Sequence, residues 1–204
     1  PDGRLCGFGN GIWDINNVGR FVRIGGTGYS SLGTAVFVPT NGRMRGIEFG
    51  GGFWDIFDVA QGNGSLIANT LGSNCLAVGP DGNLFGQNAS ALTLYDPITG
   101  ATTSGFNPGI TLTGIAARGT EFYAIRNMTP NDTIYKWEPP LNVLTALPMS
   151  NVSGLQALAT SPNGTLFAWD VVEGLMRIDT TTGQATDVNP AAVGSANIQA
   201  LEFL

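Results

Sequence analysis

The 204-residue chain has no histidine and two cysteines, Cys6 and Cys75. Without imidazole there is no Ser-His-Asp triad, no Cys-His nucleophile and no histidine metal site. Two cysteines are too few for a zinc ribbon, and no calcium-loop pattern occurs, so no metal or cofactor is expected. Charged residues are scarce at 12%, about half of the roughly 25% common in globular domains. Nine basic residues face fifteen acidic ones, for a net charge of −6. A phosphate-backbone binder needs a basic stripe, and none exists. Arg43 and Arg45 form the tightest basic pair, expected to sit on a solvated strand face. No apolar run approaches the roughly 18–20 residues of a membrane-spanning helix. Pro1-Asp2-Gly3 lacks the basic and apolar regions of a signal peptide, which is expected to have been removed or never present. That start reads as the middle of a longer chain.

What is abundant is glycine, at 30 residues, together with an apolar content of 43%. This composition predicts an all-β, turn-rich domain. The clearest unit lies between Asn74 and Phe106. Its strand a is Cys75–Val78, followed by the turn Pro80-Asp81-Gly82 and strand b, Asn83–Gly86. Strand c is Leu92–Tyr95, and Asp96-Pro97-Ile98-Thr99-Gly100 turns into strand d. Asp-Gly and Asn-Gly between apolar runs predict type I′ hairpin turns.

The a–b turn recurs as Asp2-Gly3, Asn41-Gly42, Asp81-Gly82, Arg118-Gly119 and Asn163-Gly164. A second column places an acid after an aromatic or apolar residue: Trp13-Asp14, Trp54-Asp55, Tyr95-Asp96, Trp137-Glu138 and Ile178-Asp179. Both columns repeat about every 40 residues, the spacing of propeller blades. The C-terminal run Ile198–Leu204 matches strand a, and Asp2–Phe8 matches the turn and strand b. The predicted fold is therefore a five-bladed β-propeller of four-stranded antiparallel blades, closed by pairing of the C-terminal strand with the N-terminal strands. Residues 1–204 form one domain, with blade 1 at 1–33 plus 196–204, blade 2 at 34–73, blade 3 at 74–109, blade 4 at 110–150 and blade 5 at 151–195.

Trp13-Asp14 and Trp54-Asp55, with the runs YDPITGATT and RIDTTTGQAT, resemble the β-propeller repeats of the WD40 and YVTN kind. The resemblance spans the whole chain in pattern and implies the propeller fold. The WD40 hydrogen-bond tetrad has no counterpart in a chain without histidine.

The acid column is expected to cap turns through backbone N–H groups. The aromatics before it are expected to pack between blades. Individuality appears after strand b, where the frame holds Gly9, Glu48, Asn88, Arg126 and Asp170. Glu48, Asn88, Arg126 and Asp170 are expected to ring one mouth of the propeller, with Trp169 as an aromatic platform. Loops on a rigid scaffold are where binding residues collect. Asn63, Asn88, Asn127, Asn131, Asn151 and Asn163 each begin an Asn-x-Ser/Thr sequon, compatible with secretion. Cys6 and Cys75 fall on non-adjacent blades and are expected to be buried free thiols.

These features lead to a secreted or surface-exposed binding module, first for carbohydrate. Lectins similar to the tachylectin type share a five-bladed fold of about this size, a fold-level analogy. The alternative is an interaction or assembly domain of a larger surface or filament protein. Third comes a histidine-free hydrolase or lyase with Glu48 and Asp170 as acid and base. Neither nucleic acid nor a membrane span is expected.

Overall fold

Five hairpins closed by glycine organise the chain. The computed structural model describes residues 3–16, 19–25, 32–59, 61, 63–88, 90–128, 130–138, 142–148, 151–191 and 196–204, so Asp2 of the first predicted turn lies outside the described residues. Gly3, Gly42, Gly82, Gly119 and Gly164 take φ values of 76°, 65°, 81°, 62° and 82°, where a Cβ would be strained. Asn142 is the one non-glycine residue with positive φ among the described residues. The four turns described in full are therefore not type I′, which needs positive φ at both central positions. In blade 5 the Ser161 carbonyl accepts the Gly164 N–H at 2.8 Å, and the Thr165 carbonyl accepts the Ser161 N–H at 2.9 Å. That is a type I turn followed by a left-handed glycine, as in a G1 bulge. Pro80 and Pro162 precede Asp81 and Asn163, and proline holds φ near −65°, which excludes the mirror-image turn. The Asp81 and Asn163 side chains accept the N–H two residues ahead, at 3.1 and 3.2 Å.

Twenty strands follow among the described residues. They are β1 (Leu5–Gly9), β2 (Ile12–Ile15), β3 (Phe21–Gly25), β4 (Leu32–Val38), β5 (Arg43–Glu48), β6 (Gly52–Asp58) and β7 (Asn63–Asn69). Next come β8 (Leu76–Val78), β9 (Leu84–Asn88), β10 (Ala91–Tyr95), β11 (Thr102–Ser104), β12 (Gly114–Arg118), β13 (Glu121–Arg126), β14 (Thr133–Glu138) and β15 (Val143–Ala146). The last are β16 (Leu155–Thr160), β17 (Leu166–Asp170), β18 (Gly174–Ile178), β19 (Ala185–Asp187) and β20 (Ile198–Phe203). They form five antiparallel four-stranded sheets, β20-β1-β2-β3, β4 to β7, β8 to β11, β12 to β15 and β16 to β19. The inner strand of blade 2 begins at Leu32, ahead of the boundary expected at 34.

The inner strands β4, β8, β12, β16 and β20 pack side by side in a closed ring. Closure is the one read from the sequence. Leu5 pairs with Phe203 and Cys6 with Glu202, and the Gly3 N–H reaches the Leu204 carbonyl at 2.5 Å.

Five apolar cores lie between neighbouring blades. Phe8, Met44 and Ile56 fill the space between blades 1 and 2. Phe53 and Tyr95 serve blades 2 and 3. Phe85, Phe122 and Trp137 stack at 5.0–5.6 Å between blades 3 and 4. Ile125 and Met176 join blades 4 and 5, and Trp169 with Ile198 joins blades 5 and 1. Burying one such side chain contributes about 2–3 kcal/mol, and an edge-on ring contact about 0.5–1.5 kcal/mol more. The small residue of strand b follows from the same closeness. A Cβ on Gly86 would lie 2.7 Å from the Cys75 carbonyl oxygen, and one on Gly46 would lie 2.8 Å from Leu32.

Register corrects the acid column. Tyr95 pairs with Leu84, Trp137 with Phe122 and Ile178 with Leu166. The residues in those positions in blades 1 and 2 are Ile15, paired with Leu5, and Ile56, paired with Met44. Trp13 and Trp54 instead face Gly7 and Gly46. Asp96 and Asp179 do cap turns, taking N–H groups from Thr99 at 2.7 Å and Thr181 at 2.8 Å. Asp14 and Asp55 lie inside strands. The turns after those strands use other acceptors: Asn16 takes the Arg20 N–H and Asp58 the Gln61 N–H, both at 3.0 Å.

Asp55 has a different task. It pairs with Arg43 at 3.3 Å and with Arg45, whose Nε also donates to the Pro97 carbonyl of blade 3 at 2.7 Å. Arg45 is buried, a tether between blades in place of the solvated residue that was expected. Cys6 and Cys75 are buried and free, as expected.

Candidate functional site

Strand b runs away from the a–b turns, so its far end and the loops into strands c and a share one face of the ring. The sequence column Glu48, Asn88, Arg126 and Asp170 closes strands β5, β9, β13 and β17 on that face. Leu32 lies opposite Glu48, and Leu155 opposite Asp170, each at the start of an inner strand. The column is therefore spatially real, but its members act differently.

Asn88 donates from Nδ2 to the Gly72 carbonyl at 2.6 Å, fixing the connection from blade 2 to blade 3. The Asp170 carboxylate is buried, at 1% exposure. Its Oδ1 accepts the Val172 and Glu173 N–H groups at 2.8 and 3.0 Å, so it caps the b–c turn of blade 5. Trp169 is wholly buried and donates from Nε1 to the Ala196 carbonyl at 3.0 Å. It is a core residue and offers no platform. Glu48 folds over its own loop, with Oε2 only 2.7 Å from where a Cβ on Gly52 would lie. The Arg126 side chain is half-buried and makes no hydrogen bond or ion pair among the described residues.

Two buried side chains hold this face together without standing out in the sequence. Asp132, in the long b–c loop of blade 4, is 1% exposed. One oxygen accepts the Met128 N–H at 2.9 Å, and the other accepts the Gly154 and Leu155 N–H groups at 2.8 and 2.6 Å. Gln87 donates from Nε2 to the Ile110 carbonyl at 2.7 Å and accepts the Leu112 N–H. Buried polar groups of this kind rigidify when every lone pair has a donor. The only sequence signal for Asp132 is a carboxylate in the middle of the longest b–c loop.

On these loops stand apolar side chains with no cover. Phe49 is 50% exposed, Leu71 49%, Met128 38% and Val172 57%. They come from b–c loops of three blades and from the loop entering blade 3, all joined to the two inner strands of a blade. Phe49 lies across Gly33, 3.1 Å from where its Cβ would be, and its carbonyl is 2.5 Å from that point on Gly72. The Phe49 and Leu71 loops therefore abut. Val22, Leu66 and Val143 are exposed on outer strands, and Phe57 and Ile98 at the opposite end.

A recess of about 470 Å³ lies between blades 5 and 1 near the a–b turns. The Phe167 and Phe203 rings, 5.8 Å apart, lie among Arg4, Asp14, Asn16 and Asn163 in its wall.

Among the described residues, no group of three or more His, Cys, Asp or Glu side chains is placed to hold a metal ion. No helix is long and apolar enough to cross a membrane among those residues. No protein-family model and no curated protein matches the chain. Solved structures do. The chain is similar in fold to one in a nidogen/laminin complex, with a TM-score of 0.65 and 9% identity over 98% of this chain and 97% of that one. It is also similar to a structural-genomics protein of unknown function from Bacteroides thetaiotaomicron, with a TM-score of 0.61 and 13% identity over 89% of this chain and 55% of that one. At such identities the likeness establishes the propeller fold and nothing finer.

Proposed function

We propose that this propeller is a binding module that docks a protein partner on the face carrying the b–c loops. The observation that carries this reading is the set Phe49, Leu71, Met128 and Val172, exposed together on one face. Isolated apolar residues on a surface are ordinary, whereas several presented on one face favour a contact site. Asp132 and Asp170 anchor two of the loops through buried carboxylates, so their side chains are presented with little ordering cost on association. The propeller seen with laminin in the nidogen/laminin complex is compatible with such a role. An acid–base reading of Glu48 and Asp170 loses support, because the Asp170 carboxylate is buried and its Oδ1 is held by the turn.

The test is a photo-crosslinking amino acid placed at Phe49, Val172 or, on the other end, Ile98, in protein returned to its native source. Adducts at Phe49 and Val172 but not at Ile98 are expected. Adducts at Ile98 alone would place the interface elsewhere.

A carbohydrate reading has a separate observation behind it, the recess between blades 5 and 1. An apolar ring face beside amide and charged groups suits a sugar, which has both a C–H face and hydroxyls. Secretion or surface exposure belongs with either reading, and the sequons support it. Phe203→Ala should abolish retention on a glycan array while leaving the crosslinks at Phe49 intact.

A further inference from the structure

On the face opposite the b–c loops, the inner strands enclose a cavity of about 430 Å³ along the propeller axis. It opens among the a–b turns, beside Pro39, Pro80 and Gly119. Toward the other face the space shrinks to about 10 Å³ between Thr34, Gly114 and Gln199. The cavity is therefore closed at one end. Its wall is mostly apolar, with Val36, Leu76, Ile115 and Leu158 among its side chains, and Glu202 is its one charged residue among the described residues.

Among the described residues, no cation lines the cavity beside that carboxyl. Strands β4, β8 and β16 carry no charged side chain. Arg118, at the end of β12, gives its Nε to the Gly164 carbonyl at 2.7 Å and does not line the cavity. Arg4 borders the recess between blades 5 and 1. Among the described residues, the other titratable side chains nearby are thiols, Cys6 opposite Glu202 on β1 and Cys75 at the constriction. Each inner strand is hydrogen-bonded to a neighbour on one side only, so part of its backbone N–H and C=O groups faces the axis.

We propose that the axial cavity binds a small organic cation, a primary ammonium on an apolar body, with Glu202 as its counter-ion. Burial pushes the Glu202 carboxyl up to about 8, and a hydrogen bond from the Phe37 backbone N–H pulls it partly back. A carboxylate in an apolar wall is costly without a partner. An ammonium supplies one, forms a charge-assisted hydrogen bond to it, and turns its remaining N–H donors toward carbonyls of the strand edges. The volume suits a ligand of this size. Near neutral pH, binding ionises Glu202 and releases a proton, because the bound cation favours the charged form.

The experiment is calorimetric titration with benzylammonium, in two buffers of different ionisation enthalpy near neutral pH, with benzyl alcohol as the uncharged control. Benzylammonium is expected to bind with proton release, and Glu202→Gln to weaken it roughly tenfold or more without proton release, the loss typical of a charged hydrogen bond. Equal affinity in wild type and Glu202→Gln, benzyl alcohol binding as tightly as the amine, or no binding at millimolar amine overturns the proposal. If the variant does not fold, NMR titration of carbon-labelled glutamate in the wild type decides. The Glu202 transition should move down on saturation with benzylammonium, and an unmoved transition refutes the site.

Discussion

The Asp132 carboxylate of blade 4 accepts the N–H of Leu155, the first residue of the blade 5 inner strand, at 2.6 Å. It holds the Gly154 and Met128 N–H groups as well, so one buried side chain joins a binding loop to the seam between two blades. Asp132→Ala leaves these donors without the carboxylate and should cost about 3 kcal/mol. Asp132→Asn keeps two acceptor lone pairs and should cost less. Urea denaturation measures both, and hydrogen exchange at Leu155 should quicken in the alanine variant. A cost within about 0.5 kcal/mol of zero, the range of ordinary surface changes, would contradict the role.

Glu202 makes stability depend on pH in an unusual direction. Its folded-state value, about 8, lies above the ordinary value of 4.5 because burial disfavours the charge. Between those two values the folded protein holds a proton that the unfolded chain has released. The stabilisation is thus full below 4.5 and is lost as pH rises through about 8. The decline should be on the order of a few kcal/mol. Glu202→Gln should flatten the slope and be more stable than wild type above that pH. Identical thermal unfolding of the two proteins across this range would count against it.

Asp55 and Asp96 share a column in the sequence and should behave differently on mutation. Asp55→Ala strands the buried Arg45 guanidinium with only the Pro97 carbonyl, at a cost of about 3 kcal/mol. Asp96→Ala removes an exposed turn cap, worth about 1 kcal/mol. Backbone N–H groups of Thr99 and Ile98 hold the Asp96 carboxyl below its ordinary 3.8. Its contribution is therefore present above that value and fades as pH falls below it. Chemical denaturation of both variants at neutral pH gives the comparison, and equal costs would remove the distinction.

Cys75 should resist alkylation in the native protein. Burial pushes its thiol up to about 12, against a hydrogen bond from the Gln87 backbone. The thiolate is the reactive form, so little is available at neutral pH. Iodoacetamide should label Cys6 and Cys75 only after denaturation. Native labelling, or a mass two hydrogens low from a disulfide, would be inconsistent with two buried free thiols.

The exposed loop residues should be separable from stability. Phe49→Ser with Val172→Ser should leave the melting temperature nearly unchanged, because both side chains are half-exposed. The same double variant should lose partner binding in the crosslinking assay. A collapse in melting temperature would instead mark these residues as structural.

The amino-acid sequence by itself determined the number of blades and the closure of the ring. Both rest on local chemistry: a left-handed glycine recurring in all five a–b turns, and a terminal strand whose apolar pattern needs a partner. Strand register in blades 1 and 2 was not legible. A slip of two residues keeps every side chain on the same face, so Trp13 could pass for the counterpart of Tyr95 although Ile15 holds that position. The shared end of the b–c loops was legible, since loops after strand b lie at one end in any such ring. The tasks of its residues depended on the tertiary structure. Trp169 is buried because β20 and the Ala196 carbonyl stand opposite it. Asp132 meets Leu155 across a blade seam, and Glu202 reaches an apolar axis lined by all five inner strands. Each of those environments is made by residues distant in the chain, and periodicity within one blade carries no record of its neighbour.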